Sequence, residues 1–280
     1  MSEGLGRTGG QLPTTIDTTK PHEARFYDYW LGGVDNYLAD RQLGDEIAAH
    51  IPGLRSMVRA NRAFLGRAVR YAITELGITQ FLDIGTGLPT ARNTHEVAQD
   101  VDPSARIVYV DKDPLVLAHA RALMTSTPQG KTAFVHADLH DPESILTDPI
   151  LTDTLDLDGP VAIMLCSVII YFSDSDDPHG IIARLLDAVP SGSCLTITHP
   201  TGDFDPRAMA KAALACEYAG IPMVFRTRAE TESLFAGTDI VAPGVVPAGD
   251  WHPELAEEPM FEVAPHAGPA WVWVGVGRKP

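Results

Sequence analysis

The stretch QFLDIGTGLPT, residues 80–90, decides the fold. A short apolar run ends in Asp83 and then in two glycines one residue apart, Gly85 and Gly87. That order describes a β-strand that delivers the chain into a tight turn ahead of a helix, the place where α/β proteins hold nucleoside-type cofactors. Without a Cβ, Gly85 and Gly87 let the backbone take conformations closed to other residues and let a ligand lie against the peptide plane. A GxG pair alone is common. Its weight here comes from the strand before it, the helix after it and a second acid, Asp111, at the end of the next apolar run.

Downstream of the glycines, strand-like runs alternate with helical ones, which predicts a mostly parallel sheet with helices on both faces. Five strands are expected, at 80–84, 106–111, 132–137, 161–168 and 194–198, each mostly apolar as a strand covered on both sides should be. Helices are expected at 90–99, 114–124, 142–151, 179–188, 206–219 and 229–235. Two further strand-like pieces, 239–246 and 270–277, are placed to close the sheet as a hairpin. The Pro- and acid-rich stretch between them, 248–269, reads as a long surface loop. Upstream, apolar residues recur at three-, four- and seven-residue spacings over 54–76 and predict a long helix closed by Gly77. Residues 21–53 cluster aromatics around Gly32-Gly33 and read as a cap of two short helices. Residues 1–20 are rich in Gly and Thr with almost no periodic apolar positions, the composition of a flexible tail. The expected organisation is therefore a tail and one domain, 21–280, made of the cap and an α/β core over 54–280.

Composition sets outer limits. With 280 residues, 45% of them hydrophobic, the chain can bury one large core. A formal net charge of −16 gives it a mean field that repels DNA, RNA and an acidic lipid surface, so neither nucleic acid nor membrane is expected as a partner. Three cysteines, Cys166, Cys194 and Cys216, show no CxxC spacing and read as buried thiols in a reducing compartment, the cytoplasm. The longest apolar run, 161–172, is too short to span a bilayer, and no export signal opens the chain.

In a parallel sheet the ligand lies at the carboxyl ends of the strands. Asp83, Asp111, Asp138 and the pair Cys166 and Ser167 fall at those ends, with Lys112 and Leu139 beside them. Asp111 follows Gly87 by 24 residues, close to the roughly 20-residue interval at which a ribose finds its carboxylate. Asp111 also has the position of a helix-capping acid, although Asp113 ahead of Pro114 already serves that helix. Asp138 begins a loop where an acid can bond an exocyclic amine, and Asp83 can hold the turn or reach a ligand's ammonium group. The third glycine of a dinucleotide fingerprint is replaced by Thr90, and Pro89 removes an amide donor. DIGTGLPT therefore suits a pyrophosphate less well than a sulfonium ligand.

Six segments together carry a family likeness: PHEARFYDYWLGGVDNYLADR, Asn61-Arg62, FLDIGTGLPTARNTHEVAQ, RIVYVDKDPLVLAHARAL, HADLHDPESIL and GVGRKP. They resemble the S-adenosylmethionine-dependent methyltransferase family of actinomycetes once classed as a domain of unknown function, over residues 21–280. The resemblance implies a class I methyltransferase fold, Rossmann-like, with seven mostly parallel strands of which the last is antiparallel. It implies S-adenosyl-L-methionine as cofactor. It makes Asp83, Gly85 and Gly87 similar to the first methyltransferase motif, Asp111 to the ribose-binding acid and Asp138 to the adenine-side acid. The expected activity is methyl transfer to the oxygen or nitrogen of a small molecule. An NAD(P)-dependent Rossmann oxidoreductase and a non-catalytic S-adenosylmethionine-binding module are the alternatives.

Methyl transfer is an in-line displacement, so holding nucleophile and methyl group aligned and dry supplies most of the acceleration. A general base is needed only for a weakly acidic acceptor; His199, Tyr171 and His136 stand nearest the strand ends, and none is assigned that role. Phe26, Tyr27, Tyr29, Trp30 and Tyr37 either cover the methyl pocket, hinged at Gly32-Gly33, or dock the first helix on the core. On that basis Tyr29, Tyr37, Tyr171 and His199 are expected on the substrate or lid side. Arg25, Asn36, Arg59, Asn61 and Arg62 are candidates to bond the cofactor carboxylate or an acidic acceptor, with Arg25 and Asn36 preferred. The acids Asp174, Asp176 and Asp177 read as a helix cap, and His136, His140, Asp138 and Asp141 straddle a strand end, so no metal is expected.

Overall fold

The computed structural model describes residues 17–90, 92–256 and 270–280. The part of the expected tail over 1–16 and of the expected loop over 257–269 lies outside the described residues. Two short helices open the chain, α1 (Glu23–Leu31) and α2 (Leu38–His50), followed by the long α3 (Leu54–Thr74). His22 caps α1 by accepting the Ala24 N–H on its ring at 3.3 Å, and α1 ends at Gly32 with φ +90°. The periodic apolar stripe of α3 is buried, as the spacing of Leu54, Val58, Leu65, Val69 and Ala72 requires.

The core alternates β1 (Gln80–Ile84), α4 (Thr94–Val101), β2 (Arg106–Asp111), α5 (Pro114–Leu123), β3 (Lys131–His136), α6 (Pro142–Leu146), α7 (Pro149–Thr152), β4 (Ala162–Cys166), α8 (Pro178–Asp187) and β5 (Cys194–Pro200). Then come α9 (Pro206–Tyr218), α10 (Arg228–Ser233), β6 (Asp239–Ile240), β7 (Val246–Pro247) and β8 (Val272–Arg278). The sheet runs β3-β2-β1-β4-β5-β8-β6, with β7 also on β8. β1 to β5 pair parallel, whereas β8 pairs antiparallel with β5, β6 and β7. One apolar cluster lies on each face: α1–α3 and α9 pack over one, α6 and α8 over the other.

Four expectations need correction. The helix expected at 90–99 starts later, at Thr94, because Asn93 and Glu96 form a capping box; Asn93 also takes the Thr90 N–H at 3.1 Å. The helix expected at 142–151 is two pieces, since Asp148 caps a second start ahead of Pro149. The single strand expected at 239–246 breaks into β6 and β7 around Pro243 and Gly244, so eight strands replace seven, while both pieces pair antiparallel with β8 at the edge of the sheet as the expected hairpin would. The stretch beginning at 248 is not all surface loop. Trp251 is fully buried, edge-on to Phe64 and Tyr71 of α3, and Arg67 donates to the carbonyls of Trp251 and Ala248.

Candidate functional site

The switch in strand order lies between β1 and β4, and a crevice of about 1510 Å³, its open mouth included, sits at the carboxyl ends of these strands. Asp83, Gly85, Gly87, Asp111, Lys112, Asp138, Leu139, Cys166, Ser167 and Tyr171 line it. The topology brings these together from β1, β2, β3 and β4, as it must when five parallel strands end on one side.

The glycine turn is fastened from β2. The backbone N–H of Gly85 donates to Val110 O at 2.8 Å, and that of Gly87 donates to Asp111 Oδ2 at 3.0 Å. Both glycines have positive φ, +74° and +66°, a region that other L-residues enter at a cost. Asp111 Oδ1 takes the Asp113 N–H at 2.9 Å, so each carboxylate oxygen keeps a lone pair for a further donor. Burial raises the Asp111 pKa against these two hydrogen bonds.

Asp83 lies beneath the turn. Its Oδ2 accepts the Thr94 hydroxyl at 2.6 Å, which ties the start of α4 to β1. Burial pushes its carboxyl up to about 6, against the pull of Thr94 and the Arg62 guanidinium. Asp138 goes the other way: burial raises it, but the backbone N–H and ring of His140 outweigh that and leave it lowered. Cys166 is a neutral thiol, its pKa driven far up by burial and by Asp83. Ser167, at the end of β4, has φ +56°, an uncommon conformation for a non-glycine residue and the kind of strain found at ligand clamps. Its hydroxyl receives the Asn61 amide at 3.1 Å and lies 3.1 Å from the Thr198 hydroxyl.

The structure sets several expected residues elsewhere. Arg25 is buried against Asp40, with Nε 3.1 Å from Oδ1 and Nη2 donating to Lys20 O at 2.6 Å, so its guanidinium braces the cap and does not line the crevice. Asn36 spends its amide on Asp28 Oδ2 at 2.9 Å and Gly33 O at 3.0 Å. Tyr29 donates to Asp45 at 2.7 Å on the outer side of α1, and Tyr37 is a half-exposed helix cap stacked under Arg25. Gly33 packs so closely on Asp28 that a Cβ there would lie 1.8 Å from its carboxylate, which makes Gly32-Gly33 a fastened turn and not a hinge. His199 is sealed in the core: Nδ1–H donates to Pro200 O at 2.8 Å, Nε2 faces Arg226 at 3.2 Å, and burial lowers its pKa to about 4. His136 is turned outward onto Lys112 O at 2.9 Å. Asp174 pairs with Arg226, while Asp176 and Asp177 cap the backbone at Ser173 and Gly180.

In place of Arg25 and Asn36, α3 presents Asn61 and Arg62 to the crevice. Asn61 is 5% exposed, donates to Tyr27 at 2.8 Å and to Ser167, and leaves its Oδ1 without a partner. Arg62 reaches toward Asp83 and spends one donor on Arg92 O at 3.2 Å. The sequence did carry a signal for this: Asn61 falls three residues after Val58 and four before Leu65, on the apolar stripe of α3, where a polar side chain needs a reason. At the mouth, Glu23 of α1 pairs with Lys112 at 3.2 Å and His22 lies 3.3 Å from Asp113, joining the cap to the residues after Asp111.

A sequence model described as S-adenosyl methyltransferase matches residues 9–280. The chain belongs to that family. It is a methyltransferase by that membership, and S-adenosylmethionine is the cofactor that the family implies. Among solved structures, this methyltransferase is similar to a DUF574 family protein from Streptomyces avermitilis at 44% identity, over 95% of this chain and 100% of that one, with a TM-score of 0.89. It is similar to a Thermobifida fusca protein assigned as a methyltransferase at 40% identity, over 97% and 99% of the two chains, with a TM-score of 0.84. Human N-acetylserotonin methyltransferase in complex with S-adenosylmethionine shares the fold at 15% identity, over 92% of this chain and 63% of that one, with a TM-score of 0.50. No curated protein matches the methyltransferase at a significant level.

Proposed function

We propose that the crevice binds S-adenosylmethionine across the Gly85–Gly87 turn and presents its methyl group to the oxygen or nitrogen of a small molecule held under the cap. The observation that carries this reading is the linked pair Asp111 and Gly87, a carboxylate with spare lone pairs fixed beside a turn with room against it. The residues present suit the ligand. Asp111 accepts from ribose hydroxyls, Arg62 faces the carboxylate, and the orphaned Oδ1 of Asn61 offers an acceptor to a cationic or N–H group. Asp138 and Leu139 stand on the adenine side. When bound, the cofactor supplies an electrophilic methyl group on a sulfonium and departs as a neutral thioether.

What the chain contributes is position and dryness. The cap covers the crevice with Phe26, Tyr27 and Trp30, and Ser167 at the tip of β4 is fixed by Asn61 and Thr198. His199 offers no base, because both ring nitrogens are engaged and its pKa is lowered. The buried, unpaired thiols of Cys194 and Cys216, both raised to about 12, support a reducing cytoplasm as the setting. The net charge of −16 speaks for a small molecule against a nucleic acid. Among the described residues, no helix is long and apolar enough to cross a membrane.

Calorimetry with S-adenosylmethionine, S-adenosylhomocysteine and NAD tests the reading. Binding of the first two is expected and binding of NAD is not; tight NAD binding alone would overturn it.

A further inference from the structure

The crevice has two unlike ends. The end toward the sheet carries Asp83, Asp111, Asp138, Lys112 and Arg62. The end under the helices is walled by five separate stretches of chain: Trp30 of α1, Ile51 after α2, Met57 of α3, Met209 of α9, and Met223 and Phe225 from the segment 221–225. Every lining side chain contributed by α2, α9 and 221–225 is apolar. The lining thus falls into a charged part and an apolar part, a division that suits a nucleoside beside a second, apolar molecule.

Two tyrosine hydroxyls line the crevice; of the acids that α1 contributes to it, Glu23 is paired with Lys112 and Asp28 accepts from Asn36 and the Asp35 N–H. Tyr27 is engaged with Asn61, while the Tyr171 hydroxyl, which also lines the crevice, makes no hydrogen bond to any described residue. Moving a carboxylate or an ammonium against such a wall costs several kcal/mol unless a partner waits there, and α2, α9 and 221–225 contribute no charged or polar side chain to the crevice. Three of the six wall residues named are methionines, whose flexible thioethers accept rings of varied outline.

We propose that the methyl acceptor is an uncharged, ring-bearing apolar molecule that carries a single hydroxyl or N–H donor, lies in the chamber between α1, α2, α3, α9 and 221–225, and meets the Tyr171 hydroxyl at its polar point. This rests on the reading of the glycine-turn end as the cofactor's. The chamber selects by polarity and size, and the acidic exterior of the protein has no part in the selection.

The test uses the full chain and calorimetry. S-adenosylhomocysteine is titrated first; the saturated protein is then titrated with 2-naphthol and, separately, with 2-naphthoate. The expected result is that 2-naphthol binds at least about tenfold more tightly than 2-naphthoate, a difference of about 1.4 kcal/mol. Met223→Asp is expected to weaken 2-naphthol at least about tenfold and leave S-adenosylhomocysteine within about twofold, which also certifies the fold of the variant. Phe225→Ala, a milder change in the same segment, is expected to weaken 2-naphthol about three- to tenfold with the same control. Failure of S-adenosylhomocysteine to bind the parent protein overturns the cofactor reading, and this one with it. Normal S-adenosylhomocysteine binding with equal or tighter 2-naphthoate, with no 2-naphthol binding, or with 2-naphthol indifferent to both substitutions overturns the acceptor class alone.

Discussion

Asp111 at the tip of β2 accepts the backbone N–H of Gly87 at 3.0 Å, so the acid and the turn that follows β1 are one mechanical unit. A ligand that draws on Asp111 therefore also feels the turn. Asp111→Asn keeps the shape and loses the charge. We expect it to weaken S-adenosylmethionine binding by roughly 1.5–3 kcal/mol, the scale of a charge-assisted hydrogen bond, with an unchanged circular dichroism spectrum. Unaltered affinity in calorimetry removes Asp111 from the site.

The two glycines should respond differently to alanine. A Cβ on Gly85 would stand 2.6 Å from Val168 Cγ2 in addition to the strain of φ +74°, whereas one on Gly87 meets nothing within 4 Å. Gly87→Ala is expected to lose about 1–2 kcal/mol of stability from backbone strain alone. Gly85→Ala should lose clearly more in the same urea titration, and equal losses would mean that contact with Val168 has no influence.

Arg25 and Arg62 divide two roles that the sequence left together. Arg25→Met leaves the buried Asp40 with the His22 and Tyr37 N–H groups but without its counter-charge and should cost about 1.5–3 kcal/mol of stability, while S-adenosylhomocysteine affinity of the folded protein stays within about twofold. Arg62→Met should do the reverse, with affinity down by about ten- to a hundredfold and little loss of stability. The pair of measurements fails if Arg25→Met is the one that abolishes binding.

Asp83 sets a pH dependence. Its carboxyl titrates at about 6 in the folded chain, above the ordinary value of 3.8, because burial disfavours the charge. The folded state thus holds the proton more tightly than the unfolded one, so stability from this group is complete below about pH 4, falls as pH rises, and reaches its floor above about pH 6. Asp83→Asn, whose amide oxygen still accepts from Thr94, removes that slope. It should match the parent protein near pH 4 and exceed it above pH 6 by roughly 1–3 kcal/mol. Denaturant unfolding at pH 4, 5, 6 and 7 checks it, and parallel curves for the two proteins would refute it.

Much of the fold was legible because each parallel strand is an apolar run that ends in an acid or a small polar residue, and β1 to β5 fall within a few residues of their expected places. What escaped was set by contacts distant in sequence. Arg25 meets Asp40, 15 residues on, and Arg62 meets the crevice; the polar Asn61 on the apolar stripe of α3 was the one local mark that favoured the second. The break between β6 and β7, the burial of Trp251 and the part of α9 in the acceptor chamber likewise depend on partners far along the chain.

The place of β8 has a consequence for biosynthesis. Chains fold from the amino-terminal side as they leave the ribosome, at about 5–20 residues per second. β5 shows one unpaired edge, and β6 and β7 have no neighbour, until residues 272–278 emerge and slot between them. The nascent protein therefore carries an open β5 edge while residues 201–271 are made, a state exposed to pairing with another chain. The arrival of β8 bolts that edge shut by pairing along the full length of β5.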